Sequence, residues 1–392
     1  MSGAGENGVK RLVLVILIDA LGYDVVRRHG FLEQLCRPPR RVRTVFGYSS
    51  SAIPSLLTGA WPRDHGHFAM YARDPRRSPF RRDRWLIKLF GEWLNRPWFM
   101  KRRLHPRLVR RGITGYFSLY EIPPRLLPEW NLCQRRNLFQ PGAIAGFPTM
   151  IDDLAARGIP HRIWDWSVPE ERGLEELRAA VRRGRDAFLL HYSSALDGIM
   201  HAHGTGAPET AGKLEATEAY LTGLVREAHN KYDEVRLFVF GDHGMTDVEG
   251  AHDLWSRLPA VGPPRNRGVL YFLDSTMARF WFDDPARRGE VEAILAGEEC
   301  GRIMPVEEER ELGIYFPDRR YGELIFLMHP GQIIVPSFMG RAPVAGMHGY
   351  HPDHRGSDTT LLTNTKVEHP HDIRGLARLL RREVSRLAEA PV

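Results

Sequence analysis

Short apolar runs of strand length alternate with segments of helical periodicity along most of the chain. The predicted strands are residues 12–18, 161–164, 187–192 and 236–240. The predicted helices include residues 151–157, 170–182 and 214–228. The last of these has the clearest apolar stripe, which comprises Leu214, Leu221, Leu224, Val225 and Ala228. This alternation predicts an α/β fold in which helices flank both faces of a central, mostly parallel sheet.

A smaller pattern follows late in the chain. Residues 277–282 and 322–328 are strand-like, and residues 287–295 between them have helical spacing. Residues 270–332 are therefore predicted to form a small α+β lobe. Because no internal repeat or low-complexity linker separates this lobe from the rest, we predict one large domain over residues 1–392 that contains it.

Side chains that could bind a metal or act as a nucleophile follow the strand-like runs. They are Asp19, Ser49, Asp197 with His201, Asp242 with His243, and His348. Strand ends in a wound α/β sheet meet at one edge, where loops that are distant in sequence come together. Carboxylate oxygens and imidazole nitrogens are ligands that zinc accepts, and a catalytic zinc keeps one position open. The set therefore suits two divalent metal ions around a serine.

Each of these residues also has an ordinary structural explanation. Asp19 could cap the following helix, and Asp242 with His243 could form a turn. Asp197 and His201, which are four residues apart, could be a hydrogen-bonded helical pair. The metal-site hypothesis therefore depends on the whole set and not on any single member.

Five motifs together resemble a known family. They are LVLVILIDALGYD at 12–24, GYSSSAIPSLLTGAWPRDHG at 47–66, DGIMHAHG at 197–204, FVFGDHGMTD at 238–247 and GMHGYHP at 346–352. In order and rough spacing they resemble the alkaline phosphatase superfamily, nearest its type I phosphodiesterase/nucleotide pyrophosphatase branch. The resemblance implies an alkaline-phosphatase-like fold, with the predicted domain as the catalytic one.

The resemblance also implies two metal sites and a nucleophile. The first site would comprise Asp19, Asp242, His243 and the hydroxyl of Ser49. The second would comprise Asp197, His201 and His348. Ser49 would be the nucleophile, since it lies ten residues before Gly59, the offset at which these phosphodiesterases carry threonine. Ser50 and Ser51 are the nearest alternatives.

The chemistry of serine supports this arrangement independently. A serine hydroxyl is a poor nucleophile until a base or a metal lowers its pKa. The segment after Ser49 has helical spacing and ends at Gly59, so its N-terminal amides would favour an alkoxide or a phosphate. Two metals roughly 4 Å apart stabilise both oxygens of an in-line displacement. We therefore expect a covalent phosphoserine intermediate that water hydrolyses.

The surroundings of Ser49 bear on the reaction class. The sulfatase maturation signal needs Pro or Ala two positions, and Arg four positions, after the modified residue, and a serine and an isoleucine stand there. Nucleotide phosphodiesterases usually carry an asparagine 21 residues after the nucleophile to hold a phosphate oxygen, and Met70 stands there. His67 or Tyr71 could donate that hydrogen bond, or both could be ordinary loop residues. Nucleotide specificity therefore stays open.

The composition is that of an ordinary globular protein, with 392 residues, 43% hydrophobic and 26% charged. Cys36, Cys133 and Cys300 are widely spaced and indicate no disulfide framework. The apolar run 12–18 is short for a signal peptide and breaks at Asp19. No run approaches the roughly 18 apolar residues of a membrane helix. We therefore predict a cytoplasmic protein.

Basic residues concentrate in one segment. Residues 73–111 contain fourteen Lys or Arg against three acidic residues, a net charge of +11, whereas the whole chain carries +7. This segment begins a predicted insertion, residues 73–140, that we call the cap and expect over the active site. An amphipathic helix is predicted within it. Its apolar positions are Leu86, Leu89, Phe90, Trp93 and Leu94.

Three interpretations of the basic cap stay open. Its helix could pack on the core with solvated arginines, or its arginines could attract an anionic substrate. A basic, Trp-rich element could also lie in a lipid headgroup interface, as a peripheral membrane contact through residues 73–111. Nucleic-acid binding comes last, because the sequence contains no recognised nucleic-acid module.

Together the motifs predict a two-metal hydrolase of phosphate diesters or pyrophosphates, with Ser49 as nucleophile and zinc as the expected metal. A phosphomonoesterase with the same site is the alternative within enzymes. A membrane-binding or nucleic-acid-binding protein with a degenerate site is the alternative from another class, and the complete ligand set counts against it. The sequence indicates no oligomeric state.

Overall fold

The structure of the chain, a computed structural model, describes residues 9–258 and 268–389. The ends of the predicted domain and residues 259–267 lie outside the described residues. The described strands are β1 Arg11–Ile18, β2 Arg40–Val42, β3 Tyr71–Arg73, β4 Trp130–Leu132, β5 His161–Trp164, β6 Phe188–Ser193, β7 Glu234–Phe240, β8 Thr246–Asp247, β9 Gly250–His252, β10 Val269–Leu273, β11 Met277–Phe282, β12 Gly301–Ile303, β13 Leu324–Met328, β14 Gln332–Ile334, β15 Gly346–Met347 and β16 Thr359–Thr363.

Helices connect most of these strands. The described α-helices are α1 Tyr23–His29, α2 Ser49–Thr58, α3 Pro62–His65, α4 Arg84–Leu86, α5 Pro97–Arg110, α6 Met150–Ala156, α7 Glu170–Arg183, α8 Ala195–His203, α9 Pro208–His229, α10 Leu254–Arg257, α11 Ala286–Ala296, α12 Val306–Glu311 and α13 Ile373–Ala388. Short 3₁₀ turns are Arg81–Asp83, Pro124–Glu129 and Arg355–Ser357, and Ile87–Trp93 is π-helical. None of the described helices combines the length and apolar character needed to cross a membrane.

Six strands form the central sheet in the order β2-β16-β7-β1-β6-β5. β1 lies between β6 and β7 and pairs with both in parallel, and β5 extends the parallel part beyond β6. β16 pairs antiparallel with β7 and with β2 on the other side. The predicted α/β class with a mostly parallel sheet is confirmed. The carboxyl ends of β1, β6 and β7 therefore meet at one edge.

Alternate residues of β1 face opposite sides of the sheet, and helices cover both sides. Leu12 and Leu14 share one core with side chains of α7, α8 and α9. Val13 and Val15 share another with side chains of α2, α6 and α13. A strand covered on both faces needs apolar residues at every position. This is why β1 is apolar at every position from Leu12 to Ile18.

The helices and strands predicted around the central sheet agree with the structure to within two residues at every boundary but one. The helix predicted over residues 214–228 is longer and begins at Pro208. Proline is favoured in the first turn of a helix, where its missing N–H is not needed. The first turns of α9 are mostly polar, so the apolar stripe does not show them.

A second sheet contains four antiparallel strands in the order β10-β11-β13-β12. Helix α11 lies between β11 and β12 in the chain, and α12 follows β12. The predicted α+β lobe of residues 270–332 covers these elements. That these residues form a separate lobe within one large domain stays a prediction.

The cap is an excursion between two paired strands. β3 and β4 pair antiparallel, so the chain leaves at β3, forms the helical elements of residues 81–110, and returns at β4. Met100 and Leu104 of α5 share a core with Phe272 and Trp281 of the second sheet. The cap and the second sheet are therefore parts of the same hydrophobic core.

The apolar positions of the predicted amphipathic cap helix do not lie on one face. A π-helix has i→i+5 hydrogen bonds and more residues per turn than an α-helix, so positions three apart no longer share one face. Leu86 is buried and Phe90 packs partly buried on the core, whereas Leu89, Trp93 and Leu94 are exposed. The winding of Ile87–Trp93 thus divides the apolar stripe between the core and the solvent.

Candidate active site

The predicted site residues meet at the carboxyl edge of the central sheet. Asp19 directly follows β1, and its backbone N–H donates to the carbonyl of Ser193 at the end of β6, at 2.8 Å. Asp242 follows β7, and its Oδ1 accepts a hydrogen bond from the backbone N–H of Ala20 at 3.3 Å. The parallel pairing of β1 with both neighbours thus places carboxylates from distant segments side by side.

One cluster comprises Asp19, Asp242 and His243, all buried, with one ligand atom of each within 4.8 Å of the others. His243 Nε2 lies 3.4 Å from Asp19 Oδ1 and 3.3 Å from Asp242 Oδ2. His243 Nδ1 donates to the carbonyl oxygen of Gly244 at 3.0 Å. A neutral imidazole with its proton on Nδ1 has a lone pair on Nε2, which here faces the carboxylates. This is the orientation of a metal-binding histidine.

A second cluster comprises Asp197, His201 and His348, with ligand atoms again within 4.8 Å of one another. Asp197 Oδ1 lies 3.3 Å from His201 Nε2 and 3.5 Å from His348 Nε2. His201 Nδ1 donates to the carbonyl oxygen of Gly346 at 2.7 Å, so His201 Nε2 also faces the cluster with its lone pair. Asp197 and His201 are an i, i+4 pair on α8, as the sequence allowed, but His348 joins them.

The two clusters adjoin each other. The rings of His243 and His348 stack with their centroids 3.8 Å apart and their planes at 15°. Asp197 of the second cluster contributes to raising the pKa of Asp19 in the first. The structure therefore brings all seven predicted residues to one place, although their roles as ligands stay a prediction.

The donor atoms of both clusters fit divalent cations. Asp242 Oδ2 and Asp197 Oδ1 are buried and have no hydrogen-bond partner among the described residues. Burial, together with the negative charges of Asp242 and Asp197, raises the pKa of Asp19 well above its ordinary value. Burial and the neighbouring His243 and His201 lower the pKa of His348. Crowded carboxylates and unpaired lone pairs are costly unless a cation binds them.

Ser49 faces the first cluster. It is the first residue of α2, and its Oγ lies 3.0 Å from His243 Nε2 and 3.5 Å from Asp19 Oδ1. The neighbouring serines point elsewhere, because Ser50 donates to the carbonyl of Phe68 and Ser51 to that of Phe46. Of the three consecutive serines, Ser49 alone contacts the cluster.

The two proposed substitutes for the missing asparagine are not supported. Tyr71 lines a cavity next to the two clusters, but its hydroxyl donates to the carbonyl of Ser118 at 2.6 Å. His67 lies outside the cavity lining and packs against His65 instead. Met70 does line the cavity, which is therefore apolar where the nucleotide phosphodiesterases carry an amide.

One residue of the site is not evident from the sequence. The hydroxyl of Tyr192, at the end of β6, donates to Asp19 Oδ2. Burial and the nearby Asp19 carboxylate raise the pKa of Tyr192, so it keeps the proton that it donates. The only sequence signal was its place as the last residue of a predicted strand, and this position has no chemical meaning until β6 is known to pair with β1.

A cavity of about 490 Å³ adjoins the two clusters. Its walls come from the central sheet edge, the cap, the second sheet and the loop before His348. Its apolar and aromatic lining includes Ile53, Met70, Tyr116, Tyr120, Phe139, Trp166, Phe272 and Met339. No Lys or Arg of the described residues lines it. The basic residues of the cap therefore do not contact a molecule inside this cavity.

Comparison with known proteins gives a family and a fold. The model of the family "type I phosphodiesterase/nucleotide pyrophosphatase" matches residues 13–351. No curated protein sequence matches the chain. The resemblance that the motifs indicated is thus confirmed by the family model.

Solved structures give the same fold. The murine ectonucleotide pyrophosphatase/phosphodiesterase 5 is similar with a TM-score of 0.67 and 15% identity, covering 96% of this chain and 95% of that one. The human protein of the same name has a TM-score of 0.66 and 14% identity, with the same coverage of both chains. An inactive variant of the murine protein, in complex with AMP, has a TM-score of 0.65 and 16% identity, covering 96% of this chain and 95% of that one.

Proposed function

Because the chain belongs to the type I phosphodiesterase/nucleotide pyrophosphatase family, we propose that it hydrolyses phosphate diesters with two divalent metal ions and with Ser49 as nucleophile. The observation that carries this proposal is the position of Ser49, whose Oγ lies 3.0 Å from His243 Nε2 at the first cluster and which also lines the cavity. Phosphodiester or pyrophosphate hydrolysis is the activity of the family. The metals, the nucleophile and the choice of diesters are our proposal.

The six residues of the two clusters would bind two cations. Asp19, Asp242 and His243 would hold one cation, and Asp197, His201 and His348 the other. When bound, two such cations make a hydroxyl more nucleophilic and offset the charge of the phosphate and of the leaving oxygen. Zinc is the metal that we propose, since carboxylate and imidazole ligands with an open position suit it.

Ser49 would attack phosphorus in line with the leaving group. The hydroxyl gives up its proton to solvent water, the bond from Ser49 Oγ to phosphorus forms, and the bond from phosphorus to the oxygen of the first alcohol breaks. That alcohol leaves after taking a proton from water. Water then cleaves the serine ester and returns a proton to Ser49 Oγ, which releases the phosphate monoester of the second alcohol. The position of Ser49 at the N-terminus of the ten-residue helix α2 favours negative charge throughout.

The cavity supports diesters as the substrate class. A phosphate monoester has one organic group, whereas a diester has a second that needs space beside the metals. The cavity of about 490 Å³ offers that space, and its lining suits an apolar or aromatic group. A pyrophosphate would place a second charged phosphate there, and no Lys or Arg of the described lining would pair with it.

The first test compares wild type and Ser49→Ala. We expect wild type to hydrolyse bis-p-nitrophenyl phosphate in preference to p-nitrophenyl phosphate, and to contain about two metal ions per chain. Ser49→Ala should lower kcat by about 10⁴-fold or more while both metals stay bound, because six other ligands remain. Turnover of both substrates and metal content by mass spectrometry are the measurements.

Ser51→Ala is the matched control. Its hydroxyl is buried against the carbonyl of Phe46, so its loss should leave kcat within about threefold of wild type. Turnover that survives in Ser49→Ala would remove Ser49 from the mechanism. A preference for p-nitrophenyl phosphate in wild type would replace the diesterase by the phosphomonoesterase.

A further inference from the structure

Exposed apolar side chains concentrate in one part of the molecule. Of the large hydrophobic residues that are exposed in the described chain, all but Val9 lie between residues 85 and 116. They are Trp85, Leu89, Trp93, Leu94, Trp98, Val109 and Tyr116. The side chains of Trp93 and Trp98 are 71% and 64% exposed. Apolar groups gathered on one surface mark an interaction site, whereas single exposed ones are ordinary.

This exposure does not come from a cap that is loosely attached. Helix α5 buries Met100, Leu104 and Leu108, which lie four residues apart on one face. The fully buried carboxylate of Asp83 forms ion pairs with Arg107 and Arg111, which ties α5 to the turn before α4. The cap is therefore packed on the core through these residues, and we call the part of it that faces solvent, with the exposed aromatic residues, its outer side.

The outer side is also strongly basic. Among residues 81–111, Glu92 is the one exposed acidic residue, against nine exposed Lys or Arg. These are Arg81, Arg82, Arg84, Lys88, Arg96, Arg102, Arg103, Arg110 and Arg111. We call the exposed side chains of residues 81–111 the cap surface.

Cations contact aromatic rings in and beside the cap surface. The ammonium of Lys88 lies 5.2 Å from the ring centroid of Trp93, and the guanidinium of Arg103 lies 5.0 Å from that of Phe99. In a lipid interface, tryptophan rings lie at headgroup level while Lys and Arg bind lipid phosphates. Such an arrangement uses both kinds of side chain at the same depth.

We propose that the cap surface docks this protein on the surface of an anionic lipid bilayer. A bilayer supplies both things that the surface needs, an apolar layer for the tryptophans and a dense sheet of negative charge for the basic residues. Nucleic acid supplies the charge, but Leu89, Leu94 and Val109 are aliphatic and gain little from contact with bases. The observations therefore favour a membrane over a nucleic acid.

The docking site is connected to the proposed active site. Tyr116 is exposed beside the cap surface and also lines the cavity. Lys101 of α5 donates to the carbonyl of Tyr120, another cavity residue, and the ring of His105 stacks on Phe117 at 4.9 Å. Docking would thus bring the cavity wall to the bilayer. If the proposed function holds, diesters within the bilayer are the substrates that this geometry favours.

The test is sedimentation with vesicles of equal parts phosphatidylcholine and phosphatidylglycerol, with vesicles of phosphatidylcholine alone as comparison. We expect wild type to bind the anionic vesicles. Trp93→Ala with Trp98→Ala should weaken binding at least about tenfold, because both side chains leave the interface. Arg102→Glu with Arg103→Glu should weaken it at least about 25-fold, since each basic residue near an anionic surface contributes roughly fivefold.

The matched control changes two exposed arginines outside the cap. Arg183→Glu with Arg226→Glu alters the net charge equally and should leave vesicle binding within about twofold. The unfolding temperature of every variant reports folding, and hydrolysis of soluble bis-p-nitrophenyl phosphate reports the active site, both separately from docking. The result of the vesicle-binding test therefore does not depend on whether the proposed function is correct.

Three outcomes would overturn the proposal. The first is wild type that does not bind anionic vesicles. The second is equal weakening by the cap pair and the control pair of arginines, which would indicate general charge attraction. The third is tighter binding to duplex DNA than to anionic vesicles, with no effect of the tryptophan substitutions, which would assign the surface to nucleic acid.

Discussion

The orientation of two histidines decides which atoms the candidate site presents. His243 and His201 each donate from Nδ1 to a backbone carbonyl, of Gly244 and Gly346 respectively. These hydrogen bonds hold the Nε2 lone pairs of both rings toward carboxylates. A ring held in this way is ready to bind a metal without reorienting. The backbone around the site is thus part of the ligand geometry.

Asp242 is the residue whose change should affect the metal most directly. Its Oδ2 is buried without a hydrogen-bond partner, whereas its Oδ1 accepts from backbone N–H groups. Asp242→Asn keeps the size of the side chain but removes the negative charge. We expect metal content to fall from about two to about one ion per chain, and kcat by about 10²-fold or more. Mass spectrometry and turnover measure both.

Asp24→Asn is the control for that substitution. Asp24 is an exposed carboxylate that pairs with Arg41 and belongs to neither cluster. Its variant should keep both metals and full turnover. Normal metal content in Asp242→Asn would contradict the assignment of the first site.

Tyr192 acts through Asp19 and is a positioning residue. Tyr192→Phe removes the hydroxyl that donates to Asp19 Oδ2 and leaves the ring in place. Loss of such a partner of a metal ligand lowers metal affinity or activity by about 10- to 100-fold. We expect this loss in a metal titration, with KM nearly unchanged because the tyrosine hydroxyl already bonds the carboxylate. If metal affinity and kcat are both unchanged, the hydrogen bond from Tyr192 does not position Asp19 for metal binding.

At the scale of elements, the cap depends on one buried carboxylate. Asp83 is inaccessible to solvent, and its partners Arg107 and Arg111 extend from the last turns of α5. Asp83→Ala removes both ion pairs but leaves the arginines partly in water. The free energy of unfolding should therefore fall by about 1–3 kcal/mol. Urea or thermal unfolding measures the change.

Glu92→Ala is the corresponding control. Glu92 is exposed in the same cap and should change the free energy of unfolding by less than about 0.5 kcal/mol. An equally small effect of Asp83→Ala would show that the packing of Met100, Leu104 and Leu108 alone holds α5.

At the scale of the whole molecule, metal removal should weaken the fold as well as the activity. Both clusters lie where β1, β6 and β7 end, so bound cations would join segments from across the chain. Ligands that bind only the folded state stabilise it, by roughly 2.7 kcal/mol at a concentration 100 times Kd. We expect a chelator to lower the unfolding temperature and abolish turnover, and added zinc to restore both.

The Asp242→Asn variant supplies the control for this experiment as well. With one site weakened, it should lose less stability than wild type when the chelator is added. An unfolding temperature that does not respond to the chelator in wild type would contradict the proposed metal sites. The cytoplasmic location and the oligomeric state are independent of this test, and the location stays a prediction.

The sequence by itself determined the class of the fold, the order of its main strands and helices, and the residues of the candidate site. These depend on local features: apolar runs that mark buried strands, spacing that marks helices, and short motifs in a fixed order. β1 is an example, because burial on both faces forces an apolar residue at every position. Asp19 directly after it could therefore be placed at a strand end without any structure.

The tertiary structure alone decided which side chains touch and which stay exposed. Tyr192 became part of the site only through the pairing of β6 with β1, which joins residues 173 positions apart. Leu86 and Trp93 belong to one apolar stripe in sequence, yet the core covers the first and leaves the second in water. Such outcomes depend on the packing of distant segments, for which the local pattern of residues carries no signal.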